Sequence, residues 1–161
     1  MTLLNREETA KRATEARDVG NIVVFTNGCF DLLHSGHVTL LEVAAGEGDL
    51  LIVGLNSDSS VRCLKGEGRP VQPEAERAEA LLKIEKVNVV TIFSEDTPLE
   101  LIDSIKPDVL VKGGDYSSDE IVGADIVLSR GGEVVRVPLI EGISTTRIIK
   151  ERVDKESTKR T

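Results

Sequence analysis

The sequence predicts an α/β fold: a parallel five-stranded sheet with helices on both faces, in a single domain. Three observations predict it. Short, almost wholly apolar runs recur at residues 22–25, 49–55, 87–93, 108–111 and 132–137, the pattern of strands buried on both faces. Helical stretches with caps or breakers separate these runs, so the strands are joined by crossovers and run parallel. Of 161 residues 40 % are apolar but only 2 % aromatic, so the core is aliphatic, packed from Val, Ile, Leu and Ala. A chain of this length buries a sizeable core in one domain. Such an arrangement is Rossmann-like.

Residues 5–18 mix Arg, Lys and Glu with Ala, and Gly20 lies just past them, as in a solvated helix. Residues 1–19 are therefore read as an N-terminal helix without assigned chemistry. The first strand, Ile22-Val23-Val24-Phe25, runs into a glycine-containing turn from Thr26 to His37, and a helix beginning near Gly36 runs to Gly46 or Gly48. The second strand ends in Asn56-Ser57-Asp58, ahead of a short helical stretch at 59–64. These three residues suit a helix cap, and equally a ligand contact beside the first strand's turn. Lys65-Gly66-Glu67-Gly68-Arg69-Pro70 follows, a glycine-rich loop with two cations that suits a mobile phosphate clamp. Pro73 opens a helix through Ile84 that carries Arg77, with Glu74 and Glu76 complementing the dipole of its first turn. After the third strand, Thr97-Pro98-Leu99-Glu100 reads as a capping box whose helix must stop before Pro107. The fourth strand leads into Lys112-Gly113-Gly114-Asp115-Tyr116, and residues 117–120 cap a helix to about Arg130. The fifth strand precedes Glu141-Gly142-Ile143-Ser144-Thr145-Thr146, the entry to a final helix with Arg147 and Lys150. The main domain is set at residues 20–150, and 151–161 as a frayed Lys-, Glu- and Thr-rich tail.

A net charge of −8 excludes general nucleic-acid binding, which needs a basic surface, and the few aromatics exclude a stacking platform for single strands. No apolar stretch approaches a membrane span and the first residues lack a signal-peptide core, so a cytoplasmic protein without a membrane partner is expected. Cys29 and Cys63 form no CxxC and no disulfide framework. The P-loop, GxGxxG and GxSxG patterns are all missing.

Both histidines of the chain, His34 and His37, sit in the first strand's turn, three residues apart and on either side of Gly36. On the first turn of a helix that spacing puts two imidazoles on one face, where free N–H groups and the macrodipole already attract anions. A histidine at a helix start often only caps or packs. A metal site with Cys29 or Asp31 as third ligand is the other alternative, and it lacks a second Cys/His cluster to complete the shell. The phosphate reading leads. Strand-end loops then collect His34, His37, Lys65, Arg69, Lys112 and the hydroxyl-rich start at Ser144, Thr145 and Thr146. These groups neutralise phosphate charge and include no obvious nucleophile, which suits phosphoryl or nucleotidyl transfer by positioning and electrostatics.

His34-Ser35-Gly36-His37 resembles the HxGH signature of the nucleotidyltransferase superfamily, and Glu141-Gly142-Ile143-Ser144-Thr145-Thr146 the second signature of its cytidylyltransferase-like branch. Further segments resemble the heptose 1-phosphate adenylyltransferases in their stand-alone form. They are Thr26-Asn27-Gly28-Cys29-Phe30-Asp31, Asn56-Ser57-Asp58, Lys65-Gly66 with Arg69-Pro70, Glu95-Asp96-Thr97-Pro98, and Leu110-Val111-Lys112-Gly113-Gly114-Asp115-Tyr116. The resemblance implies transfer of AMP from ATP, with Mg²⁺ accompanying the triphosphate, to a heptose 1-phosphate, giving ADP-heptose and pyrophosphate. It implies catalytic roles for His34, His37 and Lys65. Thr26, Asn27, Gly28, Cys29, Phe30, Gly36, Lys112, Gly114, Asp115, Glu141, Ile143, Ser144, Thr145 and Thr146 would bind nucleotide. Asp31, Asn56, Asp58, Lys65 and Arg69 would bind the sugar phosphate, no side chain would ligate metal, and the protein would be a homodimer. Cys29 stands where related cytidylyltransferases often carry threonine, so the turn does not choose the base. A CTP-dependent enzyme acting on glycerol 3-phosphate and a non-catalytic nucleotide-binding protein are the alternatives.

Overall fold

The structure, a computed structural model, describes residues 2–113, 121–137 and 151–153. Among the described residues its sheet has seven strands: β1 (Thr2–Leu3), β2 (Val23–Gly28), β3 (Leu50–Asn56), β4 (Val89–Phe93), β5 (Val109–Gly113), β6 (Glu133–Val137) and β7 (Glu151–Val153). Their spatial order is β1-β4-β3-β2-β5-β6-β7. The first six run parallel, and β7 is antiparallel to β6. All five expected strands are present, but the count of five is corrected to seven by one short strand at each edge. Thr2–Leu3 is too short to register as a periodicity; it is recruited by the open edge of β4, where Leu4 donates to the Val90 carbonyl at 2.9 Å. Glu151–Val153, read as the start of a frayed tail, pairs with β6 because that strand otherwise presents a row of unpaired backbone groups.

The described helices are α1 (Arg6–Asp18), α2 (Ser35–Ala45), α3 (Asp58–Lys65), α4 (Glu74–Leu82), α5 (Leu99–Ile105) and α6 (Ala124–Ser129). Alternate strand residues feed two aliphatic cores, one on each face of the sheet. Val23, Phe25 and Ile52 pack with Ala13 of α1, Ile102 of α5 and Val127 of α6. Val24, Val53 and Val90 pack on the other face with Leu41 of α2 and Leu81 of α4. Among the described residues no helix is long and apolar enough to cross a membrane.

Local signals were decisive where partners are near in sequence. Asn5 caps α1 in a reciprocal box, accepting from the Glu8 amide at 2.8 Å while its own amide donates to Glu8 Oε1 at 3.1 Å. The box expected at Thr97 and Glu100 does not form. Thr97 Oγ1 accepts only from the Leu99 amide, at 3.4 Å, and the Glu100 carboxylate faces Arg6 at 3.8 Å. A distant cation, invisible to local pattern, took the carboxylate. The helix expected to be capped by residues 117–120 begins at Ala124 among the described residues. The caps at 117–120 and the helix entry at 141–150 lie outside them.

β2 lies between β3 and β5, so strand order reverses there; β2 stays paired with β3 as far as Gly28 but with β5 only as far as Phe25. Such a switch point is where open α/β sheets bind ligands.

Candidate active site

A cleft of ≈ 640 Å³ opens at that point. Asn27 and Gly28 reach it from the end of β2, Cys29, Phe30 and Asp31 from the turn after it, His34 and His37 from the start of α2, and Asn56 from the end of β3. Lys65, Arg69 and Lys112 complete the expected set. Three of the expected residues stand apart from its walls: Gly36 lies in the first turn of α2, and the Asp58 carboxylate is turned toward Arg77. Thr26 is fully buried in β2 with an unpaired hydroxyl. Gly114, Asp115, Glu141, Ile143, Ser144, Thr145 and Thr146 lie outside the described residues.

The histidines form a tight unit. His34 is the N-cap of α2, and its Nδ1 accepts from the Gly36 amide at 3.1 Å. His37 Nδ1 accepts from the His34 amide at 3.3 Å. With Nδ1 accepting in each ring, the proton of the neutral imidazole sits on Nε2. The rings stack at a centroid distance of 3.8 Å and an interplanar angle of 21°, and the Phe30 ring meets His37 edge-on at 5.5 Å. Burial, then the neighbouring charges of His34 and Lys65, lower the His37 pKa from 6.5 to about 4. At neutral pH His37 is therefore an uncharged N–H donor at a helix N-terminus facing a cleft with three cations.

A pH dependence follows from this. Below pH 6.5 the unfolded chain takes up a proton at His37, whereas the folded protein does so only near pH 4. The histidine therefore lowers stability as pH falls through that window and costs nothing above it. An NMR titration of the His37 ring is expected to show a midpoint near 4; a midpoint at the ordinary 6.5 would contradict the stacked, half-buried geometry.

The Asp31 carboxylate, at the cleft, is held by three protein donors. Its side chain is only 3 % exposed and accepts from the Val71 and Gln72 amides at 2.8 and 3.0 Å and from Arg69 Nη1 at 3.3 Å. Burial opposes its ionisation, but the two amides and Arg69 outweigh that and hold the carboxyl below its ordinary range. Gln72 Oε1 returns the tie by accepting from the Leu32 amide at 2.9 Å. The far end of the expected clamp is thus stapled to the histidine turn. Gly66 and Gly68, at φ of +92° and +89°, carry the chain between Lys65 and Arg69 through a conformation other residues rarely adopt. Burial lowers the Lys112 pKa, and the adjacent Cys29 opposes the shift.

Arg77 is the residue that motif reading passed over. Its guanidinium is fully buried; Nε donates to the Gln72 carbonyl at 2.9 Å, and Nη1 donates at 2.8 Å to the carbonyls of both Cys29 and Asn56. Nη2 meets Asp58 Oδ1 at 2.7 Å, which turns the Asp58 carboxylate toward Arg77. The signal was present in the sequence: Arg77 stands in register with Ala78 and Leu81 on the apolar face of α4. The cleft also takes Asp96, Thr97 and Pro98 from the β4–α5 loop and Ile121 and Val122 from the segment before α6. Among the described residues no three His, Cys, Asp or Glu side chains converge as metal ligands.

A model of the cytidylyltransferase-like family matches residues 25–151, which takes in the histidine turn and five of the seven strands from β2 onward. The chain belongs to this family. The chain is 55 % identical over 144 residues to the bifunctional protein HldE of Gluconobacter oxydans, covering 89 % of this chain and 30 % of that protein. Identity to the bifunctional protein HldE of Paramagnetospirillum magneticum is 59 % over 135 residues, 84 % of this chain and 28 % of that one. The chain thus spans under a third of the length of these curated relatives. Among solved structures, a lipopolysaccharide core biosynthesis protein from Thermoplasma volcanium aligns with a TM-score of 0.63 and 25 % identity, over 76 % of this chain and all of that one. A pantoate-beta-alanine ligase from Francisella tularensis aligns with a TM-score of 0.65 over 90 % of this chain and 71 % of its own; at 15 % identity it shares the fold alone.

Proposed function

We propose that the chain is a nucleotidyltransferase that transfers AMP from ATP to D-glycero-β-D-manno-heptose 1-phosphate, giving ADP-heptose and pyrophosphate for heptose-containing surface glycans. The observation that carries the nucleotidyl step is the stacked His34–His37 pair, two Nε2–H donors at a helix N-terminus beside Lys65, Arg69 and Lys112. A phosphate oxygen of the sugar substrate attacks the α-phosphorus of ATP. The bond from that oxygen to phosphorus forms as the bond to the bridging β-phosphate oxygen breaks, and pyrophosphate leaves. The nucleophile is already ionised, so no general base is needed. His34 and His37 hydrogen-bond the α-phosphate as charge builds, and Lys65 helps hold the departing pyrophosphate.

The heptose assignment rests on the segments that resemble heptose 1-phosphate adenylyltransferases, and on the 55 % identity to HldE. The lipopolysaccharide description of the Thermoplasma relative agrees with it. Nucleotide binding is assigned to the turn from Thr26 to Phe30, with Gly36, Lys112, Gly114, Asp115, Glu141, Ile143, Ser144, Thr145 and Thr146. Asn56, Arg69 and Lys65 are assigned to the sugar phosphate, while Asp31 and Asp58 act by holding Arg69 and Arg77 in place. Mg²⁺ arrives with ATP as part of the substrate, where it neutralises triphosphate charge. Residues 20–150 are taken as the nucleotidyltransferase domain, acting in the cytoplasm where ATP is available, as a homodimer.

Pyrophosphate release with heptose 1-phosphate, Mg²⁺ and ATP, CTP or GTP in parallel tests the proposal. Release with ATP alone is expected. Silence with all three, or turnover of CTP with glycerol 3-phosphate, would overturn it.

A further inference from the structure

The cleft has two chemically unlike walls. One collects His34, His37, Lys65, Arg69 and Lys112 and suits phosphates. The other, on the β4–α5 loop, presents the Asp96 carboxylate, the Thr97 hydroxyl and the face of Pro98. A carboxylate repels a triphosphate and accepts hydrogen bonds from hydroxyl groups. Asp96 is exposed and has no ion-pair or hydrogen-bond partner among the described residues. Thr97 Oγ1 accepts from the Leu99 amide, which leaves its own proton to donate. An acceptor, a donor and an apolar face side by side match a polyhydroxylated ring.

This wall is held from outside the family-matched region. Arg6, the first residue of α1, donates from Nη2 to Glu95 Oε1 at 2.6 Å, and its Nη1 lies 3.8 Å from Glu100 Oε2. Both partners are about one-third to two-thirds exposed, yet they bracket residues 96–98 on either side. The Arg6 hydrogen bond holds the Glu95 carboxyl below its ordinary range. The N-terminal helix, otherwise without chemistry, fixes the loop that carries Asp96.

We infer that Asp96 and Thr97 form the subsite for the hydroxyl groups of the acceptor sugar, and that Arg6 is a positioning residue acting through Glu95. The inference rests on the proposed reaction and names the part of the site that distinguishes a sugar from a simpler phospho-alcohol. The acceptor is favoured over the ribose of ATP because a heptose offers several free hydroxyls where ribose offers a vicinal pair.

The test is steady-state pyrophosphate release by the full chain, with KM determined separately for heptose 1-phosphate and for ATP. Asp96→Ala is expected to raise KM for the sugar phosphate roughly ten- to a hundredfold, the loss of a charged hydrogen bond, with KM for ATP unchanged. Thr97→Val should move the same constant less. Arg6→Met should reproduce the split, and Arg6→Lys, which can still reach an exposed carboxylate, should restore part of it. A purely structural role for Arg6 would instead lower kcat and thermal stability without separating the two KM values. An unchanged sugar KM in Asp96→Ala beside an active wild type would overturn the subsite alone. A rise in KM for ATP would reassign it to the nucleotide. An inactive wild type would overturn the reaction and this subsite with it.

Discussion

Replacing His37 with alanine is expected to lower kcat for pyrophosphate release by about 10²–10³, with a smaller change in KM for either substrate. The size follows from the geometry. His37 is held neutral with its proton on Nε2, so it is a donor positioned before substrate arrives, and the charge it meets grows as the α-phosphate reacts. An interaction that strengthens toward the transition state lowers kcat when lost. The variant also loses the bond from the His34 amide and the stack on His34, so α2 should lose about 1 kcal/mol of N-terminal stabilisation. That cost leaves the protein folded, and circular dichroism of the variant should match the parent. His34→Ala should be similarly slow. The double variant should be little slower than either single one, because each ring sets the other's orientation. Full activity in His37→Ala would remove the histidine pair from the mechanism.

The second large effect is on stability. Arg77→Met is expected to lower the unfolding free energy by about 3–5 kcal/mol, read as a shift in denaturant midpoint at unchanged slope. Methionine fills most of the volume but leaves the Cys29, Asn56 and Gln72 carbonyls without their donor. Asp58, whose side chain is 36 % exposed, keeps water as a partner and adds little to the cost. Arg77→Lys should recover only part, since one ammonium cannot copy a planar fork that reaches carbonyls on three segments. Against a domain stability on the order of 5–15 kcal/mol, the loss in the methionine variant is a large fraction of the total. A loss below about 1 kcal/mol would mean that water replaces the guanidinium without penalty.

The two predictions differ in how visible their residues were in the sequence. The histidine pair was legible because its physics is local: a strand end, a glycine and two imidazoles at i and i+3 on a helix start. The five central strands were legible for the same reason, since burial on both faces writes a continuous apolar run. Arg77 was written only as a charge on an apolar helix face, and nothing local told which carbonyls it reaches. Its partner Cys29 lies 48 residues away. Asp31 was legible as a residue of the turn, but nothing local told that its carboxylate also accepts from amides about 40 residues further along. Arg6 and Glu95, 89 residues apart, gave no signal at all, and their pairing is what diverted Glu100 from the expected capping box.

The sequence by itself determined the strand-and-helix alternation, the histidine turn and the family, because each rests on interactions within a few residues or on an uninterrupted apolar pattern. Tertiary structure alone decided the edge strands β1 and β7, the pinning of the Lys65–Arg69 loop, the buried hub at Arg77 and the acidic wall at Asp96. Those depend on which loops the crossovers bring to one end of the sheet, and a buried polar group takes whichever partner the fold delivers there.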